Sequence, residues 1–141
     1  MNTNTIKAGF IATVAMTVLM MVAPIMGMPK MDIGAMLGGM MGASSTIGWI
    51  MHFVIGIVFA IGYVLLLNNK LPIRGNVTRG AVYGVIVFVF AQIMMMVMAK
   101  MEFMPAPPSE GMLVMMFGSL MGHLVYGGVL GFFIKKDVVD S

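Results

Sequence analysis

Four stretches of this chain, residues 6–26, 45–67, 80–99 and 112–134, each run for about twenty residues without an Asp or Glu, the length that a helix needs to cross a bilayer core of ~30 Å. Lipid offers no partner to backbone N–H and C=O groups, so such stretches are stable there only when each satisfies its own hydrogen bonds as a helix. Composition points the same way. Of the 141 residues, 60% are hydrophobic and 9% charged, more apolar surface than a soluble domain of this size can hide. We expect an all-α membrane fold, a four-helix bundle forming one transmembrane domain over residues 1–141.

The breaks between the spans carry their own signals. Pro24 falls in the last turn of the first span, where it ends or bends the helix. Residues 28–44 are glycine-rich and too short to span, although Met31, Met36, Leu37, Met40 and Met41 keep them apolar. Asp32 is placed to cap a short helix in the membrane interface. Residues 68–78 form a polar loop turned by Pro72 and Gly75, and Pro105, Pro107 and Pro108 make residues 100–111 a loop as well. Lys7 ahead of an apolar run also fits a cleaved leader. The run is long, however, and no small-x-small site closes it, so a retained span is expected.

Charge sets the topology. Lys7, Lys70, Arg74, Arg79, Lys135 and Lys136 fall on one side of this layout, against Lys30 and Lys100 on the other. The excess places both termini of this multi-pass chain in the cytoplasm. The net charge of +3 is accounted for in this way, and no basic patch interleaved with aromatics remains to bind nucleic acid. The absence of cysteine excludes disulfides, thiolate metal sites and thiol nucleophiles.

Within the spans a four-residue beat appears twice. Gly48, His52, Gly56 and Ala60 follow one another at intervals of four, as do Ser119, His123, Gly127 and Gly131, and these are the only two histidines. Residues four apart line one face of a helix, so each stretch presents a ridge of small residues interrupted by an imidazole. Lys7-Ala8-Gly9-x-x-Ala12 opens the first span and Arg79-Gly80-Ala81-x-x-Gly84 the third, an offset of 72 residues against 71 at the histidines. The pattern reads as a duplicated hairpin, with half-repeats 6–67 and 79–134. Each half has two spans, so the copies share one orientation about an axis along the membrane normal. The outside segments Pro29-Lys30-Met31-Asp32 and Pro108-Ser109-Glu110-Gly111-Met112 then correspond, each with a proline, an acid and methionine, and short interfacial helices are expected on this outer side. The repeat also starts the fourth membrane crossing near Met116, leaving Gly111 to Met115 in the interface.

An imidazole inside a span faces the bundle interior and marks a site between the second and fourth spans. Three readings of His52 and His123 compete. The rings can secure helix packing by hydrogen bonds to Thr13, Thr17, Gln92 or a freed carbonyl. They can supply both axial ligands of a b-type haem, with the flanking glycines clearing the porphyrin. With Gln92 they can line a proton or ion path, making the protein a small transporter or channel. The small residues Gly48, Gly56, Ala60, Ser119, Gly127 and Gly131 serve close packing in any of them, within the chain or in a homodimer or larger membrane complex.

Of the 21 methionines, those from 20 to 51 and from 94 to 121 gather toward the outer half of the spans. Thioethers suit Cu(I), and they are also adaptable fillers of irregular apolar space; runs of methionine without polar spacing favour the filler. No nucleophile–base–acid set, His-Glu metal motif or phosphate loop is present, so no enzyme is expected. The leading expectation is a non-catalytic bundle, an accessory subunit whose histidine pair serves packing or holds a cofactor.

The run Gly9-Phe10-Ile11-Ala12-Thr13-Val14-Ala15-Met16-Thr17, the segment Met31-Asp32-Ile33-Gly34-Ala35-Met36-Leu37-Gly38, then Gly48-Trp49-Ile50-Met51-His52-Phe53 and the stretch Gly118 to Gly127 together resemble a family of small bacterial integral membrane proteins of unknown function. The resemblance covers nearly the whole chain. It implies four transmembrane helices in a bacterial cytoplasmic membrane and transfers no catalytic residue.

Overall fold

The computed structural model describes residues 3–67, 70, 72–103 and 111–135. These residues form helices and connecting turns. Helix α1 covers Thr3–Val22 and runs into a 3₁₀ turn, Ala23–Met26, with Pro24 at its start and Gly27 closing it at φ 86°. A short helix α2, Ile33–Met40, is followed by α3, Ser45–Gly62, which ends in a wider π-helical turn, Tyr63–Leu67. Helices α4, Asn76–Lys100, and α5, Met112–Phe133, complete the chain. Counting the terminal turns, four of these helices are long and apolar enough to cross a membrane.

The bundle is built inside out compared with a soluble protein. Large apolar side chains such as Met21, Leu65, Leu113 and Phe132 point outward, where lipid and not water would surround them. Small residues point inward. Ala8, Ala12 and Ala60 are buried with Tyr63, Tyr83, Tyr126 and Leu130 in the core.

Two seams hold the helices. In the first, Gly9 of α1 lies against Gly56, Ile57 and Ala60 of α3, and the Thr13 side chain fills the space over Gly56. In the second, Gly80 of α4 lies against Gly127 and Gly131 of α5, and Gly84 lies against the carbonyl of His123 and the Cα of Gly127. Gly9 and Gly80, Thr13 and Gly84, Gly56 and Gly127, and Ala60 and Gly131 are each 71 residues apart. Gly9 and Gly80 thus meet their neighbouring helices alike and stand 71 apart, whereas the basic residues Lys7 and Arg79 that open the spans stand 72 apart.

Helix α1 packs on both α3 and α5, and α4 packs on α5. Helices α3 and α4 stand further apart and are bridged by aromatic side chains. Phe59 and Phe90 meet edge to face at 5.7 Å, Tyr63 and Tyr83 lie at 5.0 Å with their rings tilted by 43°, and the Tyr83 hydroxyl donates to the Phe59 carbonyl at 2.7 Å. The four long helices alternate in direction, so that the start of α1 and the end of α5 lie at one end and α2 at the other.

At the α2 end, the Asp32 carboxylate accepts from the Ala35 N–H at 2.8 Å, capping α2 as its sequence suggested. Helix α2 lies on the start of α3: Gly34 packs against Trp49 and Ser45, and Gly38 packs against the Ser44 carbonyl. Helix α5 is unbroken from Met112, so Met112 to Met115, expected at the membrane interface, are helical and continuous with the rest of the span. The Pro108-Ser109-Glu110 segment lies outside the described residues, which leaves α2 as the one short helix among them.

Candidate functional site

The small residues of the two ridges do not all meet the same neighbour. On α3, Gly48 faces the backbone of Gly34 and Gly38 in α2, Gly56 faces Thr13, and Ala60 faces Gly9. On α5, Gly127 faces the backbone of Gly80 and Gly84, and Gly131 faces the Asn76 carbonyl and Gly80. A methyl group at Gly48, Gly56, Gly127 or Gly131 would overlap these neighbours, so the glycine surfaces are already in van der Waals contact. Ser119 is the exception, turning its hydroxyl to Gln92 of α4, whose Nε2 donates at 3.4 Å.

The imidazoles use this framework in different ways. His52 Nε2 lies 3.2 Å from Thr17 Oγ1 of α1. That hydroxyl already gives its proton to the Thr13 carbonyl at 2.8 Å, so towards His52 it can only accept. His52 therefore carries its proton on Nε2. His123 Nδ1 lies 2.7 Å from the Ser119 carbonyl, one turn back on its own helix. A carbonyl only accepts, so His123 carries its proton on Nδ1. The residue 71 positions after Thr17 is Phe88, and its ring stands edge to face with His123 at 5.8 Å. Where α1 offers a hydroxyl the imidazole reaches across the seam; where α4 offers a phenyl ring it bonds back to its own helix.

Helix α1 packs on both α3 and α5, and the rings keep separate partners. His52 sits among Trp49, Phe53 and Thr17, whereas His123 is buried with Phe88 beside Ser119. A haem held by both residues requires open faces beside the ring nitrogens and commonly uses Nε2, with Nδ1–H held by a carbonyl. His123 has that orientation. His52 has its Nε2 engaged by Thr17, and Gly56 and Gly127 are covered by Thr13 and by the α4 backbone. The arrangement does not fit a shared porphyrin.

Of the other sequence candidates, Thr13 donates to the Gly9 carbonyl at 2.8 Å and serves as the filler over Gly56. Gln92 engages Ser119 and not an imidazole. Three residues that the ridges did not reveal complete the interior. The Tyr126 hydroxyl of α5 donates to the Gly56 carbonyl of α3, tying together two helices from different halves. Arg79, read from the charge pattern as a topology marker at the start of the third span, lies in the first turns of α4 and is only 2% exposed. It donates from Nη2 to Asn76 Oδ1 at 2.7 Å and from Nε to the Tyr63 hydroxyl at 3.4 Å. Among the described residues no carboxylate pairs with it.

The methionines shape the α2 end. A groove of ≈ 580 Å³ opens between the last turns of α4, the first turns of α5 and the segment leading into α2. Its walls include Met95 and Met96 of α4 and Met112, Met115 and Met116 of α5, with the Gln92–Ser119 pair along its length. A smaller cavity of ≈ 170 Å³ lies on the other side of Met31 and Met115, against α1. Neither space is lined by a histidine.

Residues 2–136 match the model of a family of unknown function. No curated protein and no solved structure matches the chain.

Proposed function

The chain belongs to DUF6789, a family of unknown function, and we propose, from its geometry alone, that it is a non-catalytic integral membrane bundle in which His52 and His123 secure helix packing. The observation that carries this reading is the use of each imidazole: one nitrogen is given to a neighbouring helix or to the ring's own helix, while the surrounding glycines are filled by backbone. In lipid such bonds contribute ~0.6 to 1.7 kcal/mol each, enough to fix rotation and register. The contact pattern that recurs 71 residues on supports a duplicated hairpin with an axis along the membrane normal. The excess of basic residues at the terminal end supports a cytoplasmic location for both termini, in the inner membrane of a bacterium. A role as an accessory subunit, or in a homodimer, suits a protein whose interior is devoted to packing.

The test is purification from haem-replete cells, followed by an absorption spectrum, a metal assay and unfolding in mixed micelles. The proposal expects a colourless protein, and a loss of ~1 kcal/mol in Thr17→Val, which leaves the His52 N–H without its acceptor. A Soret band that disappears in His52→Ala or His123→Ala would overturn it.

A transport path is the second reading, favoured by one specific observation: Gln92, Ser119 and His123 follow one another from the groove into the bundle. Deeper in, the α4–α5 seam is backbone against backbone, and Ala60, Tyr63 and Leu130 have no exposed surface. Conduction along this line requires a second arrangement of α4 and α5.

A further inference from the structure

We infer that the groove at the α2 end is a binding site for one acyl chain of an anionic phospholipid, with the headgroup held by Lys30 and Lys100. The inference does not depend on what the histidines do; it requires only that the long helices be embedded in lipid.

The groove follows from the distribution of side-chain sizes along two helices. Towards the terminal end, α4 and α5 are held backbone to backbone by Gly80, Gly84, Gly127 and Gly131. Towards the α2 end, the facing positions are 92, 95, 96 and 99 on α4 and 112, 115, 116 and 119 on α5. Both sets follow the i, i+3, i+4, i+7 spacing of a single helix face. Apart from Gln92, Ser119 and Ala99 they are methionines, so the helices part where small residues give way to thioethers. From Gln92 to Lys100 the groove runs roughly 12 Å along the helix at 1.5 Å per residue.

Three features specify the occupant. The walls are apolar and built of unbranched thioethers, which adapt to a flexible chain better than branched side chains do. They are also open sideways: Met96 is 60% and Met112 39% exposed, so in a membrane the groove adjoins acyl chains directly. The volume of ≈ 580 Å³ is that of a small-ligand pocket. The third feature is charge. Lys30 and Lys100 both line the groove, and both are exposed. The one acidic lining residue, Asp32, has a carboxylate oxygen engaged by the Ala35 N–H, and Glu102 follows on the turn after α4. The two ammonium groups outnumber the Asp32 carboxylate among the lining residues, and they complement a phosphate ester at the end of an apolar groove.

The experiment is native mass spectrometry of the full-length protein released from nonionic detergent, with equal concentrations of dioleoyl phosphatidylglycerol and dioleoyl phosphatidylcholine. We expect one phosphatidylglycerol to be retained at least tenfold in preference to phosphatidylcholine. Lys30→Gln and Lys100→Gln should each lower that preference about fivefold, as expected for one basic residue at an anionic membrane surface. Lys70→Gln, a change at the terminal end, should leave it unaltered. Ala99→Trp should fill the groove and expel both lipids. The lysine variants alter exposed side chains and keep the test valid even if the tryptophan variant misfolds. Equal retention of the two lipids, or a phosphatidylglycerol preference unchanged in the Lys30→Gln/Lys100→Gln double variant, overturns the proposal. So does a Cu(I) adduct that displaces the lipid, which would assign the groove to a thioether metal site.

Discussion

Gly127 and Gly128 are adjacent in α5 yet face different surroundings, and exchanging each for alanine tests whether the seam between α4 and α5 is backbone against backbone. A Cβ at Gly127 would overlap the Gly80 carbonyl and lie 2.7 Å from the Gly84 nitrogen. Ordinary contacts of this kind begin near 3.4 Å, and the Gly80 carbonyl oxygen is closer still than the Gly84 nitrogen, so α5 must move away from α4 by more than about 1 Å. Neither neighbour can yield, because both are main-chain atoms of a helix. Forcing extra volume into a packed interface costs ~1 to 3 kcal/mol. The same displacement loosens the Tyr126 bond to Gly56, one residue away, so we expect a loss of about 2 kcal/mol. At Gly128 the new methyl group would meet only Val77 Cγ1, at 3.8 Å, an ordinary contact. That variant should stay within ~0.5 kcal/mol of the parent. The assay is reversible unfolding in mixed detergent–SDS micelles, followed by circular dichroism or by the fluorescence of Trp49. If the two alanines give equal stabilities, α4 and α5 are not in close main-chain contact and the seam argument fails.

Other expectations rest on single contacts. Tyr126→Phe removes the hydroxyl bridging α5 to α3 and should cost ~1 kcal/mol in the same unfolding assay; no loss would mean that the bridge is not formed. Tyr63→Phe deprives the buried Arg79 of a hydrogen-bond acceptor and should cost ~1 to 3 kcal/mol, whereas Tyr63→Gln, which restores an acceptor, should recover part of it. Solid-state ¹⁵N spectra of histidine-labelled protein in bilayers should show two neutral tautomers, Nε2–H for His52 and Nδ1–H for His123. Assignment by Thr17→Val should change only the His52 signals, and a single shared tautomer would contradict the bonding pattern.

The long helices were legible because a stretch of twenty apolar residues in lipid has one way to satisfy its backbone. The ridges were legible too, since small residues at intervals of four can share only one helix face. What fills each ridge was not. Gly48 is covered by α2 and Gly56 by a threonine side chain, and no spacing within α3 distinguishes those two fates. Arg79 was legible as the basic residue that opens the third span but not as a buried one: α4 begins at Asn76, after the positive φ of Gly75, and the guanidinium lies in the bundle beside Tyr63. Tyr126 gave no hint of its acceptor, which lies 70 residues away in sequence. The methionine cluster was visible as composition, but the groove depends on how α4 and α5 diverge, which only their packing defines.

Because each glycine seam joins two successive long helices, its partners emerge from the ribosome one after the other. The α1–α3 hairpin has every residue of its own seam before α4 is made, and α4 and α5 need nothing from the first hairpin to close theirs. Membrane insertion can thus proceed as two self-contained events, with the contacts of α1 on α5 and the Tyr126 bridge formed last. Each half would then be expected to assemble when co-expressed as a separate polypeptide cut between residues 68 and 75.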